Sequence, residues 1–130
     1  MHVLGEGEPY VAVSRDGSRI AALVKRDPRV TIFDATGVQL RQLVMPDRAR
    51  AVDFSVDARE VAVSDDAGGV TVWTIERGER RLALPGHDGR IDHVAFSPDG
   101  KSLVTAGRDR VARVWDVATG QRVSVLSGHV

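Results

Sequence analysis

Four histidines and a dense scatter of aspartates are the residues of this 130-residue chain best suited to chemistry. Imidazoles bind metals and move protons near neutral pH, and carboxylates ligate hard cations or act as acids and bases. Their spacing does not assemble such a site. His87 and His93 stand six apart with no helical stripe to bring them together. His93 sits in the middle of an alternating run, so its side chain faces one way and those of Asp92 and Val94 the other. No Ser-His-Asp set, no paired carboxylates and no phosphate-cradling glycine loop can be recognised, and Gly5-Glu6-Gly7 is too short for the last. The expectation is no catalytic residue, no metal site and no cofactor.

Composition narrows the class further. Lys plus Arg is 18 and Asp plus Glu is 18, so the chain gives no reason to expect a nucleic-acid or anionic-membrane partner. Nearly all the cations are Arg, with Lys only at positions 25 and 101, which reads as genome composition. Cysteine is absent, which excludes disulfides and thiolate chemistry. The start, MHVLGEGEPY, lacks a basic, apolar leader, and no run approaches the roughly 18 apolar residues of a membrane helix. A soluble, cytoplasmic protein is expected.

The elements that position these residues recur. Trp115 follows Trp73 by 42 and Trp73 follows Phe33 by 40, while Phe96, Phe54 and Val13 are spaced by 42 and 41. Gly128-His129 repeats Gly86-His87 after 42. Each unit splits into four short runs of period two, rich in Val, Ile and Thr, which suit a pleated, half-buried surface. The runs are 10–13, 19–24, 30–34 and 38–43; 51–54, 60–64, 70–75 and 79–84; then 91–96, 102–106, 111–116 and 122–126. Turn residues separate them. Arg15-Asp16-Gly17-Ser18 and Ser97-Pro98-Asp99-Gly100 join first and second runs, with Gly supplying positive φ. The middle unit has Ser55-Val56-Asp57-Ala58, and Ala predicts either a type I turn or some strain there. A period near 40 with four strands per unit is that of propeller blades.

The stretch Gly86-His87, Phe96-Ser97-Pro98-Asp99-Gly100, Leu103 to Gly107, Asp109 and Trp115-Asp116 resembles the WD-repeat (WD40) family of β-propellers. The resemblance spans the chain as three consecutive repeats, strong in the third, fair in the second and weak in the first. It implies an all-β fold, with three four-stranded antiparallel blades forming part of a propeller. Blade 1 would run from about 8 to 44, blade 2 from 49 to 84 and blade 3 from 86 to 127, with 1–4 as the tail of a preceding blade strand. Three blades leave two apolar faces open, so the chain is expected to be a fragment of a longer array. Further blades in cis, or self-association in trans, would cover those faces.

The resemblance also implies a structural hydrogen-bond chain through His87, Thr105, Asp109 and Trp115, in which a hydroxyl accepts the indole N–H and the aspartate holds the imidazole. The second unit has Met45 and Val63 at the His87 and Thr105 positions, so Trp73 is expected to lack this relay. The first has Phe33-Asp34 and lacks both the histidine and the hydroxyl. WD-repeat propellers bind partners mostly on the face formed by the loops before the first strand and between the second and third. Here that face carries Arg26, Arg48, Arg50, Asp66, Arg90, Asp92 and Arg108. Five of the seven are arginines, which grip carboxylates bidentately, so the face is expected to be locally basic and to meet a protein or acidic peptide. The implied function is a non-catalytic scaffold or sensor module of a larger protein, such as the C-terminal array of a bacterial signalling NTPase or kinase. The alternatives are a propeller enzyme with a channel-rim site, of lactonase or hydrolase type, and an orphan fragment without a function of its own.

Overall fold

The computed structural model describes residues 9–24, 27–45, 47–84 and 89–127. Among the described residues, alternating β-branched runs and turn residues give twelve strands in three separate four-stranded sheets. The first sheet holds β1 (Pro9–Val13), β2 (Arg19–Val24), β3 (Arg29–Asp34) and β4 (Gln39–Val44). The second holds β5 (Ala49–Phe54), β6 (Glu60–Asp65), β7 (Val70–Thr74) and β8 (Glu79–Leu84). The third holds β9 (Ile91–Phe96), β10 (Ser102–Gly107), β11 (Val111–Asp116) and β12 (Arg122–Ser127). Strand order follows chain order in every sheet, and all pairings are antiparallel.

Between sheets, β1 and β2 meet β5, and β5 and β6 meet β9. The first strands therefore converge on a hub, and β4, β8 and β12 form the outer edges. This is the blade arrangement of a propeller.

The period-two alternation decides how the blades pack. In β7, Thr71 and Trp73 turn toward the first blade, and Val70 and Val72 toward the third. One core lies between blades 1 and 2, built from Leu23, Ile32, Leu43, Val52, Phe54, Val61 and Val63. A second lies between blades 2 and 3, built from Val70, Val72, Leu84, Ile91, Phe96, Leu103 and Trp115. Fully burying one such large side chain contributes about 1.5–3 kcal/mol, so these interfaces are the main source of stability. Val13 and Val44 lie exposed on the first blade, away from the second. Leu126 lies exposed on the third.

A first strand has one edge without a partner strand, and its backbone polar groups need other acceptors and donors. Blade 2 supplies them for β9. The Ser64 hydroxyl accepts from the Ala51 N–H at 3.0 Å and donates to the Ile91 carbonyl at 2.9 Å. The Asp53 carboxylate accepts from the Phe96 N–H at 2.8 Å. At the outer edge, Arg41 of blade 1 donates to the Ile75 and Glu76 carbonyls of blade 2. Arg81 of blade 2 pairs with Glu60 and donates to the Val117 carbonyl of blade 3 at 3.0 Å. Ile75 and Val117 are 42 apart, so two arginines latch the same point of successive blades.

The turns between first and second strands share one device. Ser14, Ser55 and Ser97 each donate a hydroxyl to the aspartate two residues on, at 2.8, 2.7 and 2.5 Å. The same hydroxyls accept from the N–H of Arg19, Glu60 and Ser102, each at 3.0 Å. Gly17 and Gly100 close their turns with φ of +77° and +75°. Ala58 takes the same place at +62°, so the middle turn carries the strain that a side chain incurs there.

The strands keep the expected order, with one informative shift. β5 begins at Ala49 rather than Ala51, because Ala49 pairs with Asp65, Ala51 with Ser64, and Arg50 is left over as a bulge. Blade 3 repeats this: Ile91 pairs with Gly107, His93 with Ala106, and Asp92 is left over.

Candidate functional site: the rim and the tryptophan relays

The two bulges build the site. A bulge leaves one residue unpaired, bends its strand and re-aims the side chain. Arg50 and Asp92 occupy equivalent places 42 apart, in adjacent first strands. Their side chains meet across the blade boundary at 3.6 Å. Arg50 also donates to Asp66 at 2.9 Å, and Arg90 to Asp92 at 3.1 Å. The result is one chain of alternating charge, Asp66–Arg50–Asp92–Arg90, spanning blades 2 and 3.

Backbone bonds hold the loops beneath it. Asp66 donates its N–H to the Arg48 carbonyl at 3.1 Å, and Arg108 to the Arg90 carbonyl at 3.0 Å. Each bond joins the entry to a first strand with the corner between second and third strands. The expected loops are therefore brought together at one end of each blade. Gly107 makes the approach possible in blade 3, since a Cβ there would lie 2.5 Å from the Arg90 carbonyl oxygen.

Of the residues expected on this face, Arg48, Arg50, Asp66, Arg90, Asp92 and Arg108 are gathered on the rim, and Arg26 lies outside the described residues. The electrostatics differ from a basic patch. Arg50 and Arg90 are committed to aspartates, and Arg48 and Arg108 are the exposed rim arginines for which no side-chain partner is seen among the described residues. Interleaving of the two signs follows from the bulge, which aims an arginine from one blade and an aspartate from the next at the same space.

The relay residues also divide. Trp115 donates its indole N–H to the Thr105 hydroxyl at 3.0 Å, and both are buried. His87 lies outside the described residues. Asp109 accepts from the Val111 N–H at 3.1 Å and from Arg113 at 2.9 Å.

In blade 2 the expectation that Trp73 lacks a relay is corrected. Trp73 donates to the Thr71 hydroxyl at 2.8 Å, and Thr71 donates to the Met45 sulfur at 3.5 Å. Val63 and Thr71 are direct partners across β6 and β7, as Thr105 and Arg113 are across β10 and β11. The hydroxyl has moved to the facing strand while still reaching the indole. The signal was present in the sequence: residues two apart on a strand share a face, so Thr71 lies beside Trp73. In blade 1, Thr31 accepts from Gln42 at 3.3 Å, and the Phe33 side chain has no N–H to satisfy.

Among the described residues Asp53 is the carboxylate whose pKa is raised, because burial at the blade 2–3 boundary opposes its charge. The Phe96 and Phe54 amides and Arg15 offset part of that cost. Among the described residues no group of three or more His, Asp or Glu could hold a metal ion.

Three meander blades whose first strands converge on a hub have the architecture of part of a β-propeller. Residues 78–116 match the family described as WD domain, G-beta repeat. An uncharacterized WD repeat-containing protein of Synechocystis sp. is 29% identical over 124 residues, covering 91% of this chain and 34% of that protein. The Notchless protein homolog of Arabidopsis thaliana is 49% identical over 47 residues, covering 36% of this chain and 10% of that one. The crystal structure of RRP9 WD40 repeats superposes with a TM-score of 0.84 at 22% identity, over 92% of this chain and 38% of that one. Residues 78–116 thus carry a WD repeat, the chain is similar to WD-repeat proteins along most of its length, and it spans less than two fifths of these relatives' lengths.

Proposed function

We propose that this chain is a non-catalytic protein-interaction module whose partner docks on the rim over blades 2 and 3. The observation that carries the reading is the bulge-built chain Asp66–Arg50–Asp92–Arg90, flanked by the exposed Arg48 and Arg108. Internal pairing holds the central groups in place, so little side-chain entropy is lost on docking. The flanking guanidinium groups carry unspent donors, which suits a partner with carboxylates set on either side of a polar centre. The aligned Synechocystis relative supports reading the chain as part of a bacterial WD-repeat protein. The exposed apolar residues of the first and third blades are read as seats for further blades, in the same polypeptide or in a second copy.

The test is charge reversal at the two flanking arginines. Arg48→Glu with Arg108→Glu should abolish recovery of the partner that copurifies with the unaltered protein, with an unchanged thermal melt. Undiminished recovery would sink the proposal.

A further inference from the structure

A second polar surface lies at the other end of the blades. The turn between β1 and β2, strand β4, the turn between β5 and β6 and the end of β7 enclose a groove of about 1210 Å³ between blades 1 and 2. That space exceeds the usual 300–1,000 Å³ of a small-molecule site and is of a size for several residues of an extended peptide.

The groove is lined by both signs of charge, and the hydrogen bonds sort them. Arg41 is spent on the Ile75 and Glu76 carbonyls and Arg81 on Glu60 and the Val117 carbonyl. Most of the acids are engaged as well, the exposed Glu76 carboxylate being the lining acid with no partner seen among the described residues. Asp16 and Asp57 accept serine hydroxyls and backbone N–H groups within their turns. Glu60 is held by Arg81, and Glu79 lies 3.9 Å from Arg77. The uncommitted groups are mainly cations. Arg59 and Arg80 are exposed and show no side-chain hydrogen bond or ion pair among the described residues, although Arg59 lies near enough to Asp57 to help lower its pKa. Arg19 also lines the groove, and its Nη1 reaches the Ser18 carbonyl at 3.2 Å.

We infer that this groove is a second docking site, for an extended acidic peptide segment whose carboxylates are taken by Arg19, Arg59 and Arg80. It is separate from the rim, and it involves blades 1 and 2 rather than 2 and 3.

The experiment is fluorescence anisotropy with a labelled decapeptide of alternating Glu and Gly, titrated with the full chain. Arg59→Ala with Arg80→Ala should weaken binding at least tenfold. Both side chains are exposed and unbonded, so the thermal melt should not move. Arg59→Lys with Arg80→Lys should retain part of the affinity, because charge is kept and the bidentate fork is lost. In the rim-variant background Arg48→Ala with Arg108→Ala, which removes the rim's own attraction for carboxylates, the Arg59/Arg80 alanine pair should still weaken binding at least tenfold. Loss of binding in the rim variant alone, no loss in the Arg59/Arg80 alanine variant, or equal binding of a peptide with Lys in place of Glu would each overturn the inference.

Discussion

Moving a hydroxyl across a strand pair tests how the second blade is held. Thr71 is buried and serves two groups, accepting from Trp73 and donating to Met45. Thr71→Val keeps the shape and removes both bonds. A buried donor left unmet costs about 1–3 kcal/mol. Trp73 is only partly buried, so water can recover some of that, and the added methyl is favourable in the core. The expected loss is about 1–2 kcal/mol. Val63→Thr places a hydroxyl at the position directly opposite, at a site 1% exposed, and should also cost about 1–3 kcal/mol because the Thr71 hydroxyl already serves the indole. With both changes the blade acquires the arrangement of blade 3, where Thr105 stands opposite Arg113 and takes the Trp115 indole. The double variant should therefore be more stable than the sum of the single losses by at least about 1 kcal/mol, a coupling typical of residues sharing one network. Urea unfolding followed by tryptophan fluorescence measures all four corners of the cycle. A neutral Thr71→Val, or losses that simply add, would refute the relay.

Three further outcomes follow from the same geometry. Ala58→Gly should raise stability by about 1 kcal/mol, because the turn holds residue 58 at a φ of +62° where its counterparts are glycines; thermal unfolding reads it. Gly107→Ala should cost about 2 kcal/mol or more in the same assay, since the new methyl would lie 2.5 Å from a backbone oxygen and something must shift. Acid titration should show opposing signs. Asp16 is held down from 3.8 to about 2 by the Ser18 hydroxyl and amide and the Ser14 hydroxyl, and Asp27 to about 2 by Arg29, with Asp34, Asp57 and Asp99 lowered by neighbouring hydroxyls and amides. Their stabilisation is present above about pH 4 and lost as pH falls toward 2. Burial raises Asp53, so its contribution runs the other way, present below the usual Asp range and lost as pH rises through its folded value. Asp53→Asn keeps an acceptor for the Phe96 amide, and it should raise stability at pH 7 relative to pH 4 in unfolding measured at the two pH values.

The blade architecture was legible because each strand alternates and each turn carries its glycine or Ser-x-Asp set at a fixed period. Register at the rim was not. Whether Arg50 and Asp92 pair or bulge depends on which residues oppose them, and no local propensity encodes that choice. The bulges turned an expected basic patch into an interleaved one, since the composition of the face says nothing of which charges meet. Thr71 was missed for a different reason. The relay was sought at the position where blade 3 carries it, whereas the indole needs only some acceptor within reach, and strand alternation offered a second position. The strain at Ala58 was one of two outcomes the sequence allowed; the closing bond from the Ala58 N–H to the Ser55 carbonyl, at 3.0 Å, accompanies the left-handed conformation.

The rim over blades 2 and 3 is the face proposed to meet a partner. Hydrogen–deuterium exchange of the protein with and without its copurifying partner tests it most directly. Amides at 47–50, 65–68, 89–92 and 107–110 should gain protection on binding, while those of the outer strands β8 and β12 stay as they were. Protection confined to the outer strands, with the rim loops exchanging at their free rates, would contradict it.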